Sequence, residues 1–395
     1  MPEKIFSIVI PAYNEEEAIA GTLDRVIRAK AELERETDLE EVEVIVVNDG
    51  SRDGTERIVS GYERKGLVRL ISFERNRGYG RAIMEGFSAA RGDLLGFFDA
   101  DGTCDPGFFA DLYRLLVKED AQIALGSRVH SNSKMPPVRR LGNRIFAGII
   151  NLIWRTRITD SASGMRIMTR KVLEDIYPLP DGLHFTPVMT CKALSLDNVK
   201  IVDTEMPYSE RSGKSKLSVI KDGWRFLMTI LEMGFSYRPF AFFGTIGSLF
   251  ILAAFLYGIP VVSFYAKNRY IPDDMIYRII AVITAVIIGS MLFFMNLVLK
   301  DFIAFAKGKD LTFEKPGKEL LRRFSAPENV MRAGGILLLS SVLLNAGSIW
   351  QYLAHGHIDQ HWIYTLTGAF LFIEGMIIFV FGLAQHIIYV YKRKF

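Results

Sequence analysis

The stretch Leu94-Leu95-Gly96-Phe97-Phe98-Asp99-Ala100-Asp101-Gly102 sets the architecture of the first half of this chain. Its apolar run predicts a buried strand, and Gly92-Asp93 before the run predicts a turn. Two carboxylates one residue apart at the end of such a strand can together hold a hard divalent cation, which prefers oxygen ligands. A solvent-exposed turn that carries two acids is the alternative interpretation. The sequence on either side decides between the two.

Strand and helix patterns alternate before this stretch. Strands are predicted near residues 6–10, 43–47, 68–73 and 94–98, and helices near 15–36, 55–64 and 80–90. This βαβαβαβ order predicts a mainly parallel sheet, in which ligands lie beyond the carboxyl ends of the strands. Pro11, Asn48-Asp49 and Asp99 all follow such ends. The predicted fold is therefore an α/β domain with its site at that edge.

Beyond Pro239 the composition changes, because long apolar stretches replace the mixed sequence. Four stretches have the length that a bilayer requires, near residues 240–266, 276–299, 334–353 and 363–391. Burial in a soluble core is the alternative for any one of them, but four in series favour an all-α membrane domain of four transmembrane helices. Within it, Glu374 is expected to face a polar partner such as Asn345, because a lone carboxylate is costly in lipid.

The distribution of basic residues predicts the orientation of these spans. Basic residues between the second and third spans are Lys300, Lys307, Lys309, Lys315, Lys318, Arg322, Arg323 and Arg332, and the tail carries Lys392, Arg393 and Lys394. The segment from His355 to His361 has no Lys or Arg. The positive-inside rule then places the α/β domain and the C-terminus in the cytoplasm. The three histidines of that segment favour chance loop composition over a zinc site.

Two helical patterns are amphipathic without being long enough in apolar sequence to span. They run from Val138 to Trp154 and from Leu217 to Phe235, and the first carries Arg139, Arg140 and Arg144 near its start. Packing on the sheet is one interpretation. Because both are amphipathic and accompany a membrane domain, we expect them to lie in the lipid headgroup layer. The predicted domains are residues 1–216 (α/β), 217–238 (interfacial helix and linker) and 239–395 (transmembrane).

Charge and cysteine content argue against two other classes of protein, dedicated nucleic-acid binders and extracellular proteins stabilised by disulfides. The 395 residues carry a formal net charge of +4, which argues against a dedicated nucleic-acid binder. Only two cysteines are present, so the sequence provides no disulfide framework.

Two further motifs, taken with the Asp-Ala-Asp triplet, resemble those of a known protein family. They are Pro11-Ala12-Tyr13-Asn14-Glu15-Glu16 after the first strand and Asn48-Asp49-Gly50-Ser51-Arg52-Asp53-Gly54-Thr55 after the second. Together with Asp99-Ala100-Asp101, they resemble the inverting family-two glycosyltransferases, which have a GT-A fold. The resemblance implies a nucleotide-sugar donor held by Pro11, Tyr13, Asn14, Glu15, Asp49, Arg77, Asp99, Ala100 and Asp101. Asp49 and Asp53 can instead be turn formers, because Asp-Gly is a turn signal.

The segment Arg75-Asn76-Arg77-Gly78-Tyr79-Gly80 matches a glycine-rich turn that opens a helix. Helix N-termini favour anions, so the donor phosphates are expected nearby.

Later motifs narrow the resemblance to the polyprenyl-phosphate sugar synthases, the dolichol-phosphate mannose synthase group. These motifs are Gly126-Ser127-Arg128, Asp160-Ser161-Ala162-Ser163-Gly164-Met165-Arg166 and Arg211-Ser212-Gly213-Lys214-Ser215-Lys216-Leu217, and the resemblance covers residues 5 to 235. It implies a Mg²⁺ or Mn²⁺ ion held by Asp99 and Asp101. Many members have Gln where this chain has Thr103, whose hydroxyl can be a third ligand through water.

The resemblance also implies a reaction. A hexose, with mannose or glucose expected, passes from a GDP- or UDP-sugar to polyprenyl or dolichyl phosphate at the cytoplasmic membrane face. A phosphate acceptor is already anionic at neutral pH, so the chemistry needs positive charge rather than a general base. Asp101, Arg128 and Arg211 are the expected catalytic residues. Cations expected to gather the phosphates are Arg128, Arg139, Arg140, Arg166, Arg211, Lys214 and Lys216, and for each one a solvated surface cation is the alternative.

Asp160 is left as a helix cap, a partner of a metal ligand or a base. A processive polysaccharide synthase is the nearest alternative enzyme, but this chain has only Trp224-Arg225 in place of the Q-x-x-R-W motif of that class. A non-enzymatic lipid carrier or flippase is a further alternative, against which the Asp-Ala-Asp triplet argues.

Overall fold

The structure is a computed structural model that describes residues 4–131, 133–210, 218–306, 308, 310–311, 323–358 and 361–394. The chain forms two compact units, Met1–Tyr237 and Arg238–Phe395. The helix predicted as a separate interfacial linker belongs to the first unit by its contacts.

The first unit is built on one seven-stranded sheet. Its strands are β1 (Ile5–Ala12), β2 (Glu41–Asn48), β3 (Arg69–Ser72), β4 (Leu94–Phe97), β5 (Ile123–Ser127), β6 (Arg166–Thr169) and β7 (Ile201–Glu205). The spatial order is β3-β2-β1-β4-β6-β5-β7, and β6 alone runs antiparallel to its neighbours. The predicted α/β fold with a mainly parallel sheet is confirmed, and each of the four strands predicted in the first hundred residues is present.

Helices cover both faces of this sheet. They are α1 (Ile19–Glu36), α2 (Thr55–Glu63), α3 (Tyr79–Ala89), α4 (Phe109–Lys118), α5 (Pro137–Trp154), α6 (Arg170–Ile176), α7 (Phe185–Ala193) and α8 (Val219–Tyr237). Because successive side chains of a strand point to opposite faces, β1 contributes Phe6, Ile8 and Ile10 to one core and Val9 to the other. Strands buried on both faces read as continuous apolar runs, and the second halves of β1 and β2 do so, at residues 8–10 and 44–47.

The register brings the three motif-bearing strand ends to one edge. Ala12 at the end of β1 pairs with Asn48 at the end of β2, and Val9 pairs with Phe97 at the end of β4. The loops that follow these strands therefore start side by side, as the predicted βαβ order requires.

The second unit consists of four long helices. These are α9 (Thr245–Asn268), α10 (Ile276–Ala306), α11 (Pro327–His355) and α12 (Trp362–Lys394), with a π-helical turn at Phe240–Gly244 before α9. All four are long and apolar enough to cross a membrane, which confirms the four predicted spans. Glycines allow close approach within each consecutive pair: a Cβ at Gly247 would lie 2.8 Å from the carbonyl oxygen of Gly289, and one at Gly334 would lie 2.6 Å from the amide nitrogen of Phe379.

Buried polar contacts join α10 to α12. Ser290 Oγ donates to Glu374 Oε1 at 2.9 Å, and Gln385 Nε2 donates to Asp301 Oδ2 at 2.7 Å. Glu374 thus has a polar partner, as expected, but this partner is Ser290 rather than Asn345, whose amide lies beside Gly368. Among the described residues no group of three His, Cys, Asp or Glu side chains is placed to hold a metal ion, and Asp359 lies outside them.

Candidate active site

A cleft of about 510 Å³ lies at the carboxyl edge of the sheet in the first unit. Its walls come from the loops after β1, β2 and β4 and from helices α5 and α8. The predicted site residues that line it are Pro11, Tyr13, Glu15, Asp49, Asp99, Ala100, Asp101, Arg128 and Arg139. The structure thus brings together three motifs that are spread over nearly ninety residues of sequence.

The two carboxylates of the Asp-Ala-Asp triplet are each held by a hydroxyl group. Tyr79 donates its phenolic O–H to Asp99 Oδ1 at 2.7 Å. Thr103 donates both its hydroxyl, at 2.7 Å, and its backbone N–H, at 3.1 Å, to Asp101 Oδ1. Thr103, predicted as a third metal ligand, therefore orients Asp101 in this structure.

Helix α1 anchors the backbone of the same triplet. The buried hydroxyl of Thr22 donates to the carbonyl oxygen of Ala100 at 3.1 Å, and Arg25 Nη2 donates to that of Gly102 at 3.3 Å. These bonds satisfy carbonyl groups that a turn leaves without backbone partners, and they fix the path of the loop.

Asp49 also faces the cleft, but its carboxylate has a structural task. It accepts hydrogen bonds from the backbone N–H groups of Arg77, at 2.6 Å, and Gly78, at 3.0 Å. Burial raises the pKa of Asp49 above its ordinary value, while these two N–H groups act in the opposite direction. Asp49 thus ties the loop after β2 to the turn that opens α3.

The N-terminus of α3 was expected to face the donor phosphates, and the structure gives its amide groups other partners. The N–H groups of Gly80 and Arg81 both donate to the carbonyl oxygen of Asp181, at 2.7 and 3.2 Å. Asp49 already accepts from the N–H groups of Arg77 and Gly78. Four backbone N–H groups in and just after this turn therefore have acceptors within the protein. These hydrogen bonds give the turn partners within the protein, and the expectation that donor phosphates lie near it stays a prediction.

The first two motif loops are locked to each other. Asn14 accepts from the backbone N–H of Arg52 at 2.8 Å, and Asp53 accepts from the N–H of Thr55 at 3.0 Å and from that of Glu16 at 3.2 Å. Asp53 therefore acts as the turn former that was one of its two interpretations. The side chains of Asn14 and Arg77, both predicted to bind the donor, are not among the residues that line the cleft; the Arg77 guanidinium lies 4.8 Å from the ring centroid of Phe73.

Arg128 and Asp160 form a buried ion pair at the side of the cleft. Arg128 donates through Nε to Asp160 Oδ2 at 2.7 Å and through Nη2 to Oδ1 at 3.1 Å. Its side chain is 12% exposed, whereas that of Asp160 is fully buried. Burial lowers the pKa of Arg128, but the adjacent carboxylate outweighs burial and leaves the pKa above its ordinary value.

Further hydrogen bonds saturate Asp160. Its oxygens also accept from the backbone N–H groups of Arg128 and Ala162, both at 3.2 Å, and from Asn143 Nδ2 at 3.3 Å. Three roles were left open for Asp160, and this geometry does not support the role of a base. The carboxylate instead holds the Arg128 side chain against the loop at Ala162.

Two other predicted phosphate-gathering arginines serve the fold. Arg166 is fully buried and donates to the carbonyl oxygens of Ser163 and Ser161 and to Thr190 Oγ1. Burial lowers the pKa of Arg166 to about 10. Arg140 donates to the carbonyl oxygens of Ser133, at 2.5 Å, and Met135, at 3.2 Å. Neither side chain lines the cleft, so both assignments are corrected: these cations hold loops in place.

Arg211, Lys214 and Lys216 lie outside the described residues. Sequence reasoning missed Tyr79, Asn143 and Arg225, all of which line the cleft. Tyr79 is in the glycine-rich motif, and Asn143 is one turn after Arg139 on α5. Arg225 is exposed on α8, and in the sequence it stands out only as part of Trp224-Arg225, which does not match the Q-x-x-R-W motif of the polysaccharide synthases.

Helices α5 and α8 pack against each other through Phe146 and Phe226, whose ring centroids are 6.0 Å apart. Phe226 is only 7% exposed and lines the cleft, so it is not part of an outward apolar face as expected. The exposed apolar residues that do not line the cleft are others: Leu141, Ile145 and Leu152 on α5, and Ile220, Trp224, Met228 and Phe235 on α8. The two helices therefore have a packed side and an exposed apolar side, and their place in the headgroup layer stays a prediction.

Comparisons with known proteins agree with this site. The family described as glycosyl transferase family 2 matches residues 7–177, which include the loops after β1, β2 and β4. The bactoprenol glucosyl transferase of Shigella phage SfX is 31% identical over 258 residues, which cover 64% of this chain and 79% of that relative.

Two other relatives are more partial matches. The low-salt glycan biosynthesis hexosyltransferase Agl6 of Haloferax volcanii is 31% identical over 229 residues, 57% of this chain, and the match spans 52% of that relative. A dolichyl-phosphate beta-glucosyltransferase of Dictyostelium discoideum is 28% identical over 250 residues, covering 58% of this chain and 74% of the relative. The fold, the motif loops and these similarities together identify the chain as a member of glycosyl transferase family 2.

Proposed function

We propose that this protein transfers a hexose from a nucleoside diphosphate sugar to a polyprenyl or dolichyl phosphate. The observation that carries the proposal is the make-up of one cleft, in which a carboxylate pair, an arginine-bearing helix pair and an apolar wall face the same space. A nucleotide sugar needs the first feature, a phosphate acceptor needs the second, and a prenyl chain needs the third.

The carboxylate pair fits a divalent cation that bridges to phosphate. Asp99 and Asp101 are hard oxygen donors, and Mg²⁺ or Mn²⁺ sites of this kind use one or two carboxylates together with substrate phosphates rather than a full protein cage. Such an ion, when bound, offsets the charge of the departing diphosphate. The protein's own contribution is to hold the carboxylates in place, through Tyr79 on Asp99 and Thr103 on Asp101.

The acceptor side of the cleft is formed by α5 and α8. Arg139 and Arg225 line it from these two helices, and Met135, Val138, Phe146, Val219 and Phe226 supply apolar surface beside them. An anionic phosphate acceptor attacks the anomeric carbon without a general base, which agrees with a cleft whose buried Asp160 is saturated by hydrogen bonds. In-line attack on the face opposite the leaving diphosphate inverts the anomeric configuration.

We assign the reaction to the cytoplasmic face of a membrane, with the C-terminus on the same side. Support comes from the four apolar helices of the second unit and from the basic residues that flank them. Glucose is the hexose we favour, because two relatives are named as glucosyltransferases that act with bactoprenol or dolichyl phosphate.

A donor screen tests the proposal. The full chain, purified in detergent with Mg²⁺ or Mn²⁺, is offered UDP-glucose, UDP-N-acetylglucosamine, GDP-mannose and other nucleotide hexoses together with polyprenyl phosphate, and the lipid product is identified by mass spectrometry. We expect one donor to dominate and the matching polyprenol without phosphate to accept nothing. Transfer to polyprenol, or processive growth of a polysaccharide, contradicts the proposed acceptor, and the Asp101→Asn variant provides the inactive control.

A further inference from the structure

Tyr79 occupies an unusual position beside the carboxylate pair. It is the first residue of α3, and its hydroxyl reaches across to Asp99 Oδ1 at 2.7 Å. A hydrogen bond from a neutral donor to a carboxylate is among the stronger kinds in proteins, and it fixes rotation about the bond that carries the carboxyl group. Tyr79 belongs to the glycine-rich motif, but the sequence gives its side chain no assigned role.

The backbone on both sides of Tyr79 is fixed by other parts of the chain. Gly78 before it has a φ of +107°, a conformation that glycine adopts without strain, and its N–H is held by Asp49. Gly80 after it donates to the carbonyl oxygen of Asp181, and a Cβ at position 80 would lie 2.1 Å from the carbonyl oxygen of Pro180. The hydroxyl therefore reaches Asp99 from a rigid base rather than from a mobile loop.

The opposite side of Asp99 is equally confined. A Cβ at Gly164 would lie 2.4 Å from Asp99 Oδ2, which is closer than real Cβ contacts come. The carboxylate is thus enclosed between a hydroxyl that holds one oxygen and a glycine that leaves just enough room for the other. When only two protein carboxylates hold a cation, the affinity for that cation depends on the orientation of each carboxylate. A carboxylate that rotates freely must be fixed when the ion binds, and this weakens binding.

We propose that Tyr79 is a positioning residue for the divalent cation, acting by fixing the orientation of the Asp99 carboxylate. The inference rests on the metal role of Asp99 and Asp101 in the proposed function. It extends that role to a residue outside the triplet and connects the metal side of the cleft to Asp49, which holds the turn just before Tyr79.

The experiment measures Mn²⁺ binding directly, by electron paramagnetic resonance of the free ion, with the full chain in detergent and with or without UDP. Tyr79→Phe removes one oxygen atom and keeps the ring. Tyr62→Phe is the matched control, because the Tyr62 hydroxyl also donates to a carboxylate, Asp24 Oδ1, at 2.7 Å, but lies away from the cleft. We expect Tyr79→Phe to weaken Mn²⁺ binding by about tenfold, with a thermal unfolding midpoint close to that of the control.

Each outcome bears on the proposal. Mn²⁺ affinity that equals that of Tyr62→Phe, or that increases, overturns it. If Tyr79→Phe fails to fold, Gly164→Ala gives a second test, because it crowds Asp99 while the Tyr79 hydroxyl stays; unchanged Mn²⁺ affinity there overturns the claim that the orientation of Asp99 sets binding. A wild-type chain that binds Mn²⁺ but transfers no sugar refutes the proposed function alone, whereas a chain that binds no Mn²⁺ in either condition refutes the metal role and this inference with it.

Discussion

Replacing Arg128 by Met should destabilise the first unit strongly, before any effect on catalysis is considered. An interpretation of Arg128 as a phosphate ligand alone predicts a change in kinetics with stability unaltered. The structure predicts otherwise, because Asp160 is fully buried and Arg128 supplies its countercharge through two side-chain hydrogen bonds. Removing Arg128 leaves the buried Asp160 carboxylate without the guanidinium that forms two hydrogen bonds with it, although the positive charge of Arg166 still acts on that carboxylate.

The magnitude follows from that geometry. Removal of one partner from a buried ion pair costs about 3–5 kcal/mol. For a domain of this size, about 1 kcal/mol shifts the unfolding midpoint by about 2–4 °C, so a fall of roughly 10 °C is expected. The backbone N–H groups of Arg128 and Ala162 and the amide of Asn143 still reach Asp160, which places the expected cost towards the lower end.

Thermal unfolding of the full chain in detergent, followed by circular dichroism, measures the effect. The double variant Arg128→Met with Asp160→Asn also removes the buried carboxylate charge and should recover part of the lost midpoint, which gives a double-mutant cycle for the pair. Arg225→Met is the control, since Arg225 is an exposed arginine of the same cleft and should shift the midpoint by no more than about 2 °C. If Arg128→Met lies within that range as well, the pair contributes no more than a surface salt bridge and the reasoning fails.

Three further predictions concern the cleft and its surroundings. Asp101→Asn should abolish sugar transfer while the unfolding midpoint stays near that of the wild type, and EDTA should have the same effect on the wild type; full activity in metal-free buffer would refute the metal role. Thr22→Val removes the hydroxyl that holds the carbonyl oxygen of Ala100, so it should cost about 1–3 kcal/mol and weaken Mn²⁺ binding measured by electron paramagnetic resonance, and unchanged binding would restrict Thr22 to a packing role. Trp224→Glu places a charge on the exposed apolar side of α8, where Trp224 is 63% exposed, and should reduce transfer to long-chain lipid phosphate while sparing a short, soluble prenyl phosphate; equal loss with both acceptors would contradict the interfacial assignment.

The parts of the site that follow from strand periodicity were predictable. A parallel sheet delivers its strand ends to one edge, so the positions of Pro11, Asp49 and Asp99 around one cleft follow from the order of the elements. Apolar stretch length likewise predicts the four long helices of the second unit. Both inferences depend on local patterns that a sequence displays directly.

The contacts that decide the role of each charged side chain were not predictable. Arg128 meets Asp160 across 32 residues, and the amide groups of α3 meet Asp181 across one hundred. Motif membership identified these segments as parts of the site but gave no sign of whether a cation faces a ligand or a carboxylate. Similarly, helical periodicity marked α8 as amphipathic, yet Phe226 and Trp224 lie on different sides of it because two apolar surfaces, one packed and one exposed, share the same helix.

Arg128 and Arg166 of the later motifs therefore hold parts of the fold in place, whereas Arg139 and Arg225 lie on the helices that line the cleft. Arg128 is paired with Asp160, and Arg166 is fully buried, interacts electrostatically with the same carboxylate and does not line the cleft. In the proposed reaction, which brings two anionic substrates together, Arg139 of α5 and Arg225 of α8 are further cations that line the cleft among the described residues. Because these helices also carry the exposed apolar faces, the charge that attracts the acceptor phosphate and the surface suited to its prenyl chain belong to the same two elements. The sheet edge, by contrast, holds the carboxylates for the donor, so in the proposed reaction each substrate is recognised by a separate layer of the fold.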